Sequence, residues 1–327
     1  MRFIVRRLVF YVVAAWAAIT VNFFIPRLMP GNAVQALLGK YPSLPPDAAR
    51  TLSIEFGLGH QGSLLHQYST YLGNIFHGNL GISVGEYPAK VTTILAQTVP
   101  WTLTLVGTAT VISFVLGTLL GVLAAWRRSG KLDQALPVFT LLQATPYFFI
   151  ALLSIQFLSV KIHLFPYGGG YSIGLVPGWD WAFISSAIVH SILPAATIVL
   201  TSFAGWMLQM RNVMITTIGE DYVLAAQAKG LSRRRIVFTY AARNAILPNV
   251  AGFALAIGFV VAGALVMEIV FSYPGVGLTL YNAVTNDDFP LLQGIFLVIS
   301  FAVLLACLLA DVVYVLADPR TRRQEAY

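Results

Sequence analysis

Charged residues are scarce in this chain, and cysteine is almost absent. Only 10% of the 327 residues are charged while 57% are hydrophobic, which leaves too little polar surface for a soluble globular protein. The single cysteine, Cys307, excludes an intrachain disulfide and a catalytic thiol pair. These shortages favour an integral membrane protein whose apolar surface lies in the bilayer.

Motifs for common catalytic and cofactor sites are also missing. There is no GxxxxGK[ST] phosphate-binding loop, so the chain itself is not expected to bind ATP, Mg²⁺ or another cofactor. The five histidines have no metal-ligand spacing, and the apolar segments contain no paired carboxylates and no Ser/His arrangement. We therefore expect no catalytic residues, no metal site and no enzyme activity in this chain.

Six charge-free apolar segments are present instead. About 20 apolar residues are needed to cross the hydrocarbon core, and a charge inside such a crossing is costly. We predict an all-α integral membrane protein with about six transmembrane helices. The segments cover residues 8–26, 101–126, 135–160, 190–210, 244–267 and 291–310.

Lysine and arginine positions predict the orientation of these helices, because loops rich in them stay on the cytoplasmic side. With the N-terminus inside, fifteen of the twenty lie on that side, and four of the other five lie in one long external loop. Both termini are thus predicted to be cytoplasmic. Since the positive charge is spread over every cytoplasmic segment, the net charge of +7 does not indicate nucleic-acid binding.

The predicted segments divide the chain into four parts. Residues 1–26 are the cytoplasmic N-terminus and first helix, 27–100 an external loop subdomain, 101–316 a transmembrane core of five helices, and 317–327 a cytoplasmic tail. Within the core, 212–248 is a long cytoplasmic segment. Its residues 221–229 are good helix formers, Gly230 can end that helix, and Ser232 can cap a second one.

Small and bend-forming residues recur inside the spans. Gly117, Gly121 and Ala125 are four apart, which predicts a flat stripe where another helix approaches closely. Prolines predict bends in the third and fourth spans, although ordinary packing kinks are an equal alternative. These prolines are Pro137, Pro146 and Pro194.

Polar residues of the middle spans are the candidates for lining a transport pathway. The alternative is that each only bonds to a neighbouring helix. Acidic residues are absent from the span interiors, which argues against an ion-coupled carrier. The candidates are Gln143, Thr145, Gln156 and Gln209.

The cytoplasmic segment closely resembles the coupling motif of permease subunits in bacterial binding-protein-dependent ABC importers. That motif reads Glu-Ala-Ala, three residues, Gly, and later hydrophobic-Leu-Pro. Here Leu224-Ala225-Ala226, Gly230 and Ile246-Leu247-Pro248 occupy it. Leucine in place of glutamate and the wide spacing to Pro248 are both typical of the dipeptide and oligopeptide branch.

Further signatures of that branch occur in family order along nearly the whole chain. They are Phe23-Phe24, Pro30-Gly31-Asn32, Gln67-Tyr68, Gly78-Asn79-Leu80-Gly81-Ile82-Ser83, the stretch from Glu268 to Gly277 and the stretch from Asp311 to Arg320.

The resemblance implies a type I ABC importer permease with a long external loop after its first helix, in the cell inner membrane. It implies as partners a second homologous permease, two ATPase subunits that bind ATP and Mg²⁺, and an external substrate-binding protein. The residues that carry over to the ATPase-coupling segment are Asp221, Tyr222, Ala225, Ala226, Lys229, Gly230, Leu231, Ser232, Arg233 and Arg234.

Di- or oligopeptides are the cargo that this branch implies. Relatives of the same architecture carry oligosaccharides, nickel complexes or other small solutes, and these alternatives stay open. An alternative of another class is an ion-coupled secondary transporter that works without ATP.

Overall fold

The computed structural model describes residues 2–28, 63–127, 130–261 and 265–317. Within these ranges all regular elements are helices, apart from an isolated bridge between Ile82 and Lys90. The helices of the first half are α1 (Arg2–Leu28), α2 (Leu64–Phe76), α3 (Val91–Trp126), α4 (Lys131–Gln134), α5 (Leu136–Ala144), α6 (Tyr147–Ser154) and the π-helix π1 (Ile155–Lys161). Those of the second half are α7 (Trp181–Ile218), α8 (Asp221–Ala228), α9 (Arg233–Arg235), the π-helix π2 (Ile236–Ala241), α10 (Ala242–Ala245), α11 (Leu247–Phe259), α12 (Leu265–Val270), α13 (Val276–Thr285) and α14 (Phe289–Ala317).

Four uninterrupted helices among the described residues are long and apolar enough to cross a membrane: α1, α3, α7 and α14. The third predicted span is a broken one, in which α5 meets the α6–π1 helix at a bend of 95°. In the fifth predicted span, α11 is an apolar helix of 13 residues. The all-α membrane architecture is therefore confirmed, with four continuous spans or five if the bent pair is one span.

The three prolines differ in effect. Pro146 lies at the 95° bend, where Thr145 has left the helical conformation. A proline cannot donate to the preceding turn and disfavours helix in the residue before it, which explains the break. Pro137 instead lies in the first turn of α5, and Pro194 lies inside an α7 that continues as one helix.

Two predicted regions lie outside the described residues. They are much of the external loop, including Pro30-Gly31-Asn32, and nearly all of the cytoplasmic tail with Arg320. The division into parts at residues 26, 100 and 316 therefore stays a prediction.

The chain forms two compact units. Unit 1 comprises Met1–Thr102, Val261–Leu265 and Pro274–Leu305, and unit 2 comprises Leu103–Val260, Val266–Tyr273 and Ala306–Tyr327. The core of unit 1 is formed where the start of α3 packs against α13 and α14. Its buried residues are Val91, Ile94, Leu95, Val276, Ala283, Leu291, Leu292 and Ile295.

Helix α2 belongs to unit 1 and is held against α1 by side-chain hydrogen bonds. The amide of Asn22 donates to the Tyr71 hydroxyl at 3.1 Å and to the carbonyl of Gln293 at 2.8 Å. The hydroxyl groups of Thr20 and Tyr68 form a hydrogen bond, with 2.7 Å between their oxygen atoms. Polar groups therefore fix this amphipathic helix, since none of its residues is fully buried.

Close packing of α3 on α7 organises unit 2. A β-carbon on Gly121 would lie 2.6 Å from the carbonyl oxygen of Met207, and one on Gly117 would collide with the carbonyl of Phe203. Ala125, the third residue of the stripe, is buried. The predicted small-residue face is thus where two helix backbones approach closely.

Candidate functional site

Residues 212–248, the predicted cytoplasmic segment, form the expected pair of helices around Gly230. Helix α8 ends at Ala228, and Gly230 adopts a left-handed conformation with φ of +70°, which glycine reaches without strain. The Leu231 N–H donates back to the carbonyl of Ala226 at 3.4 Å. Ser232 precedes α9 in an extended conformation, but its side chain makes no capping hydrogen bond.

One face of α8 is exposed and partly apolar. Tyr222 and Leu224 are 39% and 49% exposed, and Asp221, Ala225 and Lys229 are also at the surface. Exposed apolar side chains on a short helix, beside charged ones, are typical of a surface that contacts another protein. We call these five residues the α8 face.

The opposite side of α8 is buried. Ala226, which the resemblance carries over to the coupling segment, is only 3% exposed because it lies one turn from Val223 on the inner face. Of the alanine pair, only Ala225 can meet a partner at this surface. The role of Ala226 is to let α8 pack closely on its own unit.

A continuous hydrophobic cluster joins α8 to the ends of two membrane spans. We call it the coupling core. It contains side chains from α3, α7, α8, π2 and α10, so all five elements pack as one body. Its buried residues are Val122, Ala125, Met210, Met214, Val223, Ala226, Ile236, Val237, Ala241, Ala242 and Ala245.

Basic residues surround the coupling core. The Arg233 guanidinium lies 5.4 Å from the Trp126 ring centroid, which links α9 to the end of α3. Arg211 on α7 forms an ion pair with Asp133 on α4. Nη2 and Nε of Arg211 lie 2.6 Å and 2.8 Å from Oδ1 of Asp133. An open groove beside π2 is lined by Ser232, Arg234, Arg235, Phe238 and Thr239.

Of the four candidate pathway residues, three have exposed side chains and one bonds to its own helix. Gln143 and Gln209 both have exposed side chains near Gly205: a β-carbon on Gly205 would lie 3.4 Å from Nε2 of Gln143, and Gln209 follows it by one helical turn. Gln156 is exposed in π1, beyond the bend. The Thr145 hydroxyl donates to the carbonyl of Leu141 at 2.8 Å, so it serves its own helix.

A buried polar contact joins α3, α7 and α11, and residue spacing in the sequence did not predict it. The Asn249 side chain is fully buried, and its amide nitrogen lies 3.2 Å from both the Thr118 hydroxyl and the carbonyl of Trp206. Its Oδ1 has no hydrogen-bond partner. An asparagine directly after the Ile-Leu-Pro ending of the motif was the only signal available in the sequence.

The structure also shows how far two acidic residues near the ends of the spans are buried. Glu268, which directly follows the fifth apolar segment, is completely buried in α12. Asp311 is half-buried on α14. Among the described residues no group of three or more His, Cys, Asp or Glu side chains could hold a metal ion.

Comparisons with known proteins agree over nearly the whole length. Residues 117–323 match the family model described as "Binding-protein-dependent transport system inner membrane component". A peptide permease protein of Brucella suis is 33% identical, with 98% of this chain and 99% of that protein covered. The di/tripeptide transport system permease protein of Pseudomonas aeruginosa is 32% identical, with 98% and 99% covered. The dipeptide transport system permease protein of Escherichia coli is 30% identical, with 99% and 100% covered.

A solved structure shares the fold. A chain of the MetNI methionine ABC transporter, in an inward-facing conformation, superposes with a TM-score of 0.53 at 16% sequence identity. The likeness covers 69% of this chain and 97% of that one. At this identity the likeness concerns the fold alone.

Proposed function

The chain belongs to the family of binding-protein-dependent transport system inner membrane components, and from this we propose that it forms one half of a pathway for peptide import. It is a multi-pass membrane permease of the ABC importer family, and its predicted type I fold is confirmed. We further propose its cargo, its partners, its orientation in the membrane and the way in which ATP hydrolysis moves its spans.

Short peptides are the proposed cargo. The support is that relatives covering 98–99% of this chain carry names for peptide, di/tripeptide or dipeptide permeases. Oligosaccharides, nickel complexes and other small solutes are the alternatives. The chain is proposed to catalyse no bond chemistry, with ATP and Mg²⁺ held by two partner ATPase subunits, because it has no phosphate-binding loop of its own.

The α8 face is proposed to dock on an ATPase subunit. One observation carries this proposal: the exposed face and the coupling core lie on opposite sides of the same short helix. A push on Tyr222, Leu224 or Ala225 therefore acts on Val223 and Ala226, which lie in one cluster with Met210 and Met214 of α7. Closely packed cores are hardly compressible, so the ends of α3 and α7 move with α8 as a body.

Neighbouring residues are proposed to complete the docking surface. Gly230 and Leu231 set the turn, and Ser232, Arg233 and Arg234 continue the surface from α8. Arginine at such a place suits carboxylates on a partner, because its guanidinium can bind them with two parallel hydrogen bonds. The alternative is that these arginines bind anionic headgroups at the cytoplasmic membrane surface.

Gln143 and Gln209 are proposed to face the cargo pathway and the second permease. Exposed amides on apolar spans are unfavourable against lipid, and a partner or a water-filled pathway removes that cost. Neutral amides can donate and accept hydrogen bonds to a peptide backbone. Gln156 is proposed to line the same pathway beyond the bend, and Thr145 to contribute through the bend.

The proposed orientation places α8 and both termini in the cytoplasm. The support is the excess of lysine and arginine on that side, fifteen of twenty. An external substrate-binding protein is proposed to deliver cargo on the opposite side, at the long loop after α1.

A purification of the tagged chain from detergent tests this function. Recovery of a second permease and two ATPases, with ATP hydrolysis stimulated by peptide-loaded binding protein, is the expected result. Recovery of the chain as a homo-oligomer without ATPase would reject it. In that case uptake that collapses with the ion gradient would establish the ion-coupled carrier.

The docking surface is tested by introducing a charge at an exposed apolar position. Leu224→Asp should lower ATPase recovery by about tenfold, since it buries a charge in the proposed interface. Asn212→Asp, also exposed but on α7, is the matched control and should retain the ATPases. Equal recovery with both variants would exclude the α8 face as the docking surface.

A further inference from the structure

The segment between π1 and α7 presents large apolar side chains that contact almost nothing. Ile173 and Trp179 are 105% and 96% exposed, and Val176 and Trp181 follow at 78% and 76%. Ile173 and Trp179 are the most exposed large apolar side chains of the described residues. We call residues 173–179 the loop tip. Full exposure to water of two such side chains is unfavourable, because the free-energy cost of hydrating apolar surface grows with its area.

The composition of this segment is unusual for a surface in water. Residues 162–179 contain no lysine, arginine, aspartate or glutamate. Charges stand only at its two ends, Lys161 and Asp180. The Lys161 ammonium folds back to within 4.8 Å of the Phe157 ring centroid, so the charge stays close to the end of π1.

Hydrogen bonds hold both ends of the loop tip while leaving its side chains free. The N–H of Ser172 donates to the Ser186 hydroxyl at 2.9 Å, and that hydroxyl donates to the Ser172 hydroxyl at 3.0 Å. On the other side, the Asp180 carboxylate accepts from the N–H of Phe183 at 2.9 Å and caps α7. The loop tip is thus a short loop whose two ends are held in place by hydrogen bonds.

The positions of these hydrogen bonds along α7 show where the loop tip lies. Ser186 lies in the second turn of α7, and the Tyr171 ring meets the Phe183 ring edge-on at 5.2 Å between centroids. The chain before the loop tip therefore runs back along the side of α7. Apolar side chains of α7 just beyond it, Ile188 and Val189, are exposed as well. The loop tip therefore lies beside the first turns of α7, a helix long and apolar enough to span a membrane.

We propose that the loop tip and Trp181 are seated in the interfacial layer of the membrane and anchor the ends of the third and fourth spans. Tryptophan prefers this layer because its ring is apolar and its N–H still reaches water or a headgroup. The turn-rich backbone needs water for its own polar groups, which excludes the hydrocarbon core. A docking site for a soluble protein would carry a polar rim, and residues 162–179 provide no charged side chain for one.

This anchor goes beyond the proposed import function, since it would act at whichever membrane surface the loop meets and with any cargo. Its physical effect would be to fix the tilt of α7, the span that also reaches the coupling core. A rocking motion of α7 would then pivot at its anchored end and be largest at the end near α8.

The experiment places an environment-sensitive maleimide dye at Trp179→Cys in the full-length chain with Cys307→Ser, assembled with its partners in phosphatidylcholine nanodiscs. Nitroxides are carried either on the lipid headgroup or near the end of the acyl chain. Glu86→Cys, an exposed charged position, is the aqueous control, and Phe301→Cys, near the middle of α14, is the deep control.

The headgroup nitroxide should quench the dye at residue 179 at least about threefold more than the dye at residue 86. The acyl-chain nitroxide should act most strongly at residue 301. Equal quenching at 179 and 86 would show that the loop tip lies in water or against another protein, and it would overturn the anchor. Ile173→Cys repeats the measurement should the Trp179 variant not fold.

Discussion

The hydroxyl of Ser83 donates a hydrogen bond to the carboxylate of Asp288, and both side chains are buried. The same carboxylate accepts from the N–H of Gly85 at 2.8 Å and from the N–H of Leu291 at 3.2 Å. A single aspartate thus joins the loop after α2 to the first turn of α14 inside unit 1. No charged partner is needed, because three donors and the helix N-terminus stabilise the negative charge.

Asp288→Asn should destabilise the protein by about 2 kcal/mol. The substitution replaces one acceptor oxygen by a donor, so at least one of the three donors is left buried without a partner. The unfolding temperature of the purified chain in detergent measures the effect.

Asp287→Asn is the matched control for this change. Asp287 is exposed and has a φ of +52°, a conformation that asparagine adopts as readily as aspartate, so its unfolding temperature should stay within experimental error. Similar losses at both positions would mean that the carboxylate of Asp288 does not hold the loop.

Gly121→Ala should separate α3 from α7. Its β-carbon would meet backbone atoms of α7, which cannot move aside as a flexible side chain can, and the expected cost is about 1–3 kcal/mol. Lower yield of folded protein and a lower unfolding temperature are the readouts.

Gly107→Ala controls for helix propensity on the same helix. The nearest atom to its β-carbon would be Cγ1 of Val260 at 3.8 Å, an ordinary contact, so alanine should be neutral or slightly stabilising there. A destabilisation of equal size in the two variants would point to a general effect on α3 rather than to the contact with α7.

Local patterns allowed much of this fold to be predicted from the sequence. Charge-free runs gave the long spans, and the four-residue spacing of Gly117 and Gly121 gave the contact face of α3. Gly230 was placed correctly because a left-handed residue after a helix is a local requirement. Such features depend on neighbours within one or two turns.

Features that depend on distant residues were not predictable in this way. Asp288 and Asn249 acquire their roles from partners 205 and 131 positions away. The motif places Ala226 in the coupling segment, but it does not give the side of the helix on which Ala226 lies. The position of the bend at Pro146 was predicted from the sequence, but its angle of 95° was not, because neighbouring helices determine how far a broken span turns.

Tyr71 provides a test of how α2 is held against α1. Burial raises the pKa of Tyr71 to about 12, while the Asn22 hydrogen bond and the Arg27 charge oppose that rise. Above its usual pKa of about 10 the unfolded chain loses this proton while the folded chain keeps it. Stability should therefore fall as the pH rises from about 10 towards 12.

Tyr71→Phe should remove part of this alkaline loss, because phenylalanine has no proton to lose. Unfolding temperatures of the two proteins at a series of alkaline pH values make the comparison. The variant is expected to be less stable at neutral pH, since Asn22 loses an acceptor. Parallel curves for the two proteins would mean that another group causes the alkaline loss.

Met214→Ala tests whether the coupling core transmits motion between α8 and the spans. Met214 is completely buried between the end of α7 and the helices around Gly230. Removing its side chain leaves a cavity and costs about 2–5 kcal/mol, and it lets α8 move without carrying α7 along. Reconstituted complexes should then hydrolyse ATP at a rate near that of the wild type while cargo uptake falls several-fold.

Met214→Leu separates transmission from overall stability. It keeps volume and apolar character, so uptake per ATP hydrolysed should return close to the wild-type ratio. Ala241→Gly, in the same core but with a smaller change in volume, should show an intermediate ratio. If Met214→Ala lowered ATP hydrolysis and uptake in equal proportion, with their ratio unchanged, the core would serve only to keep the protein folded, and the force from an ATPase would have to reach the spans by another path.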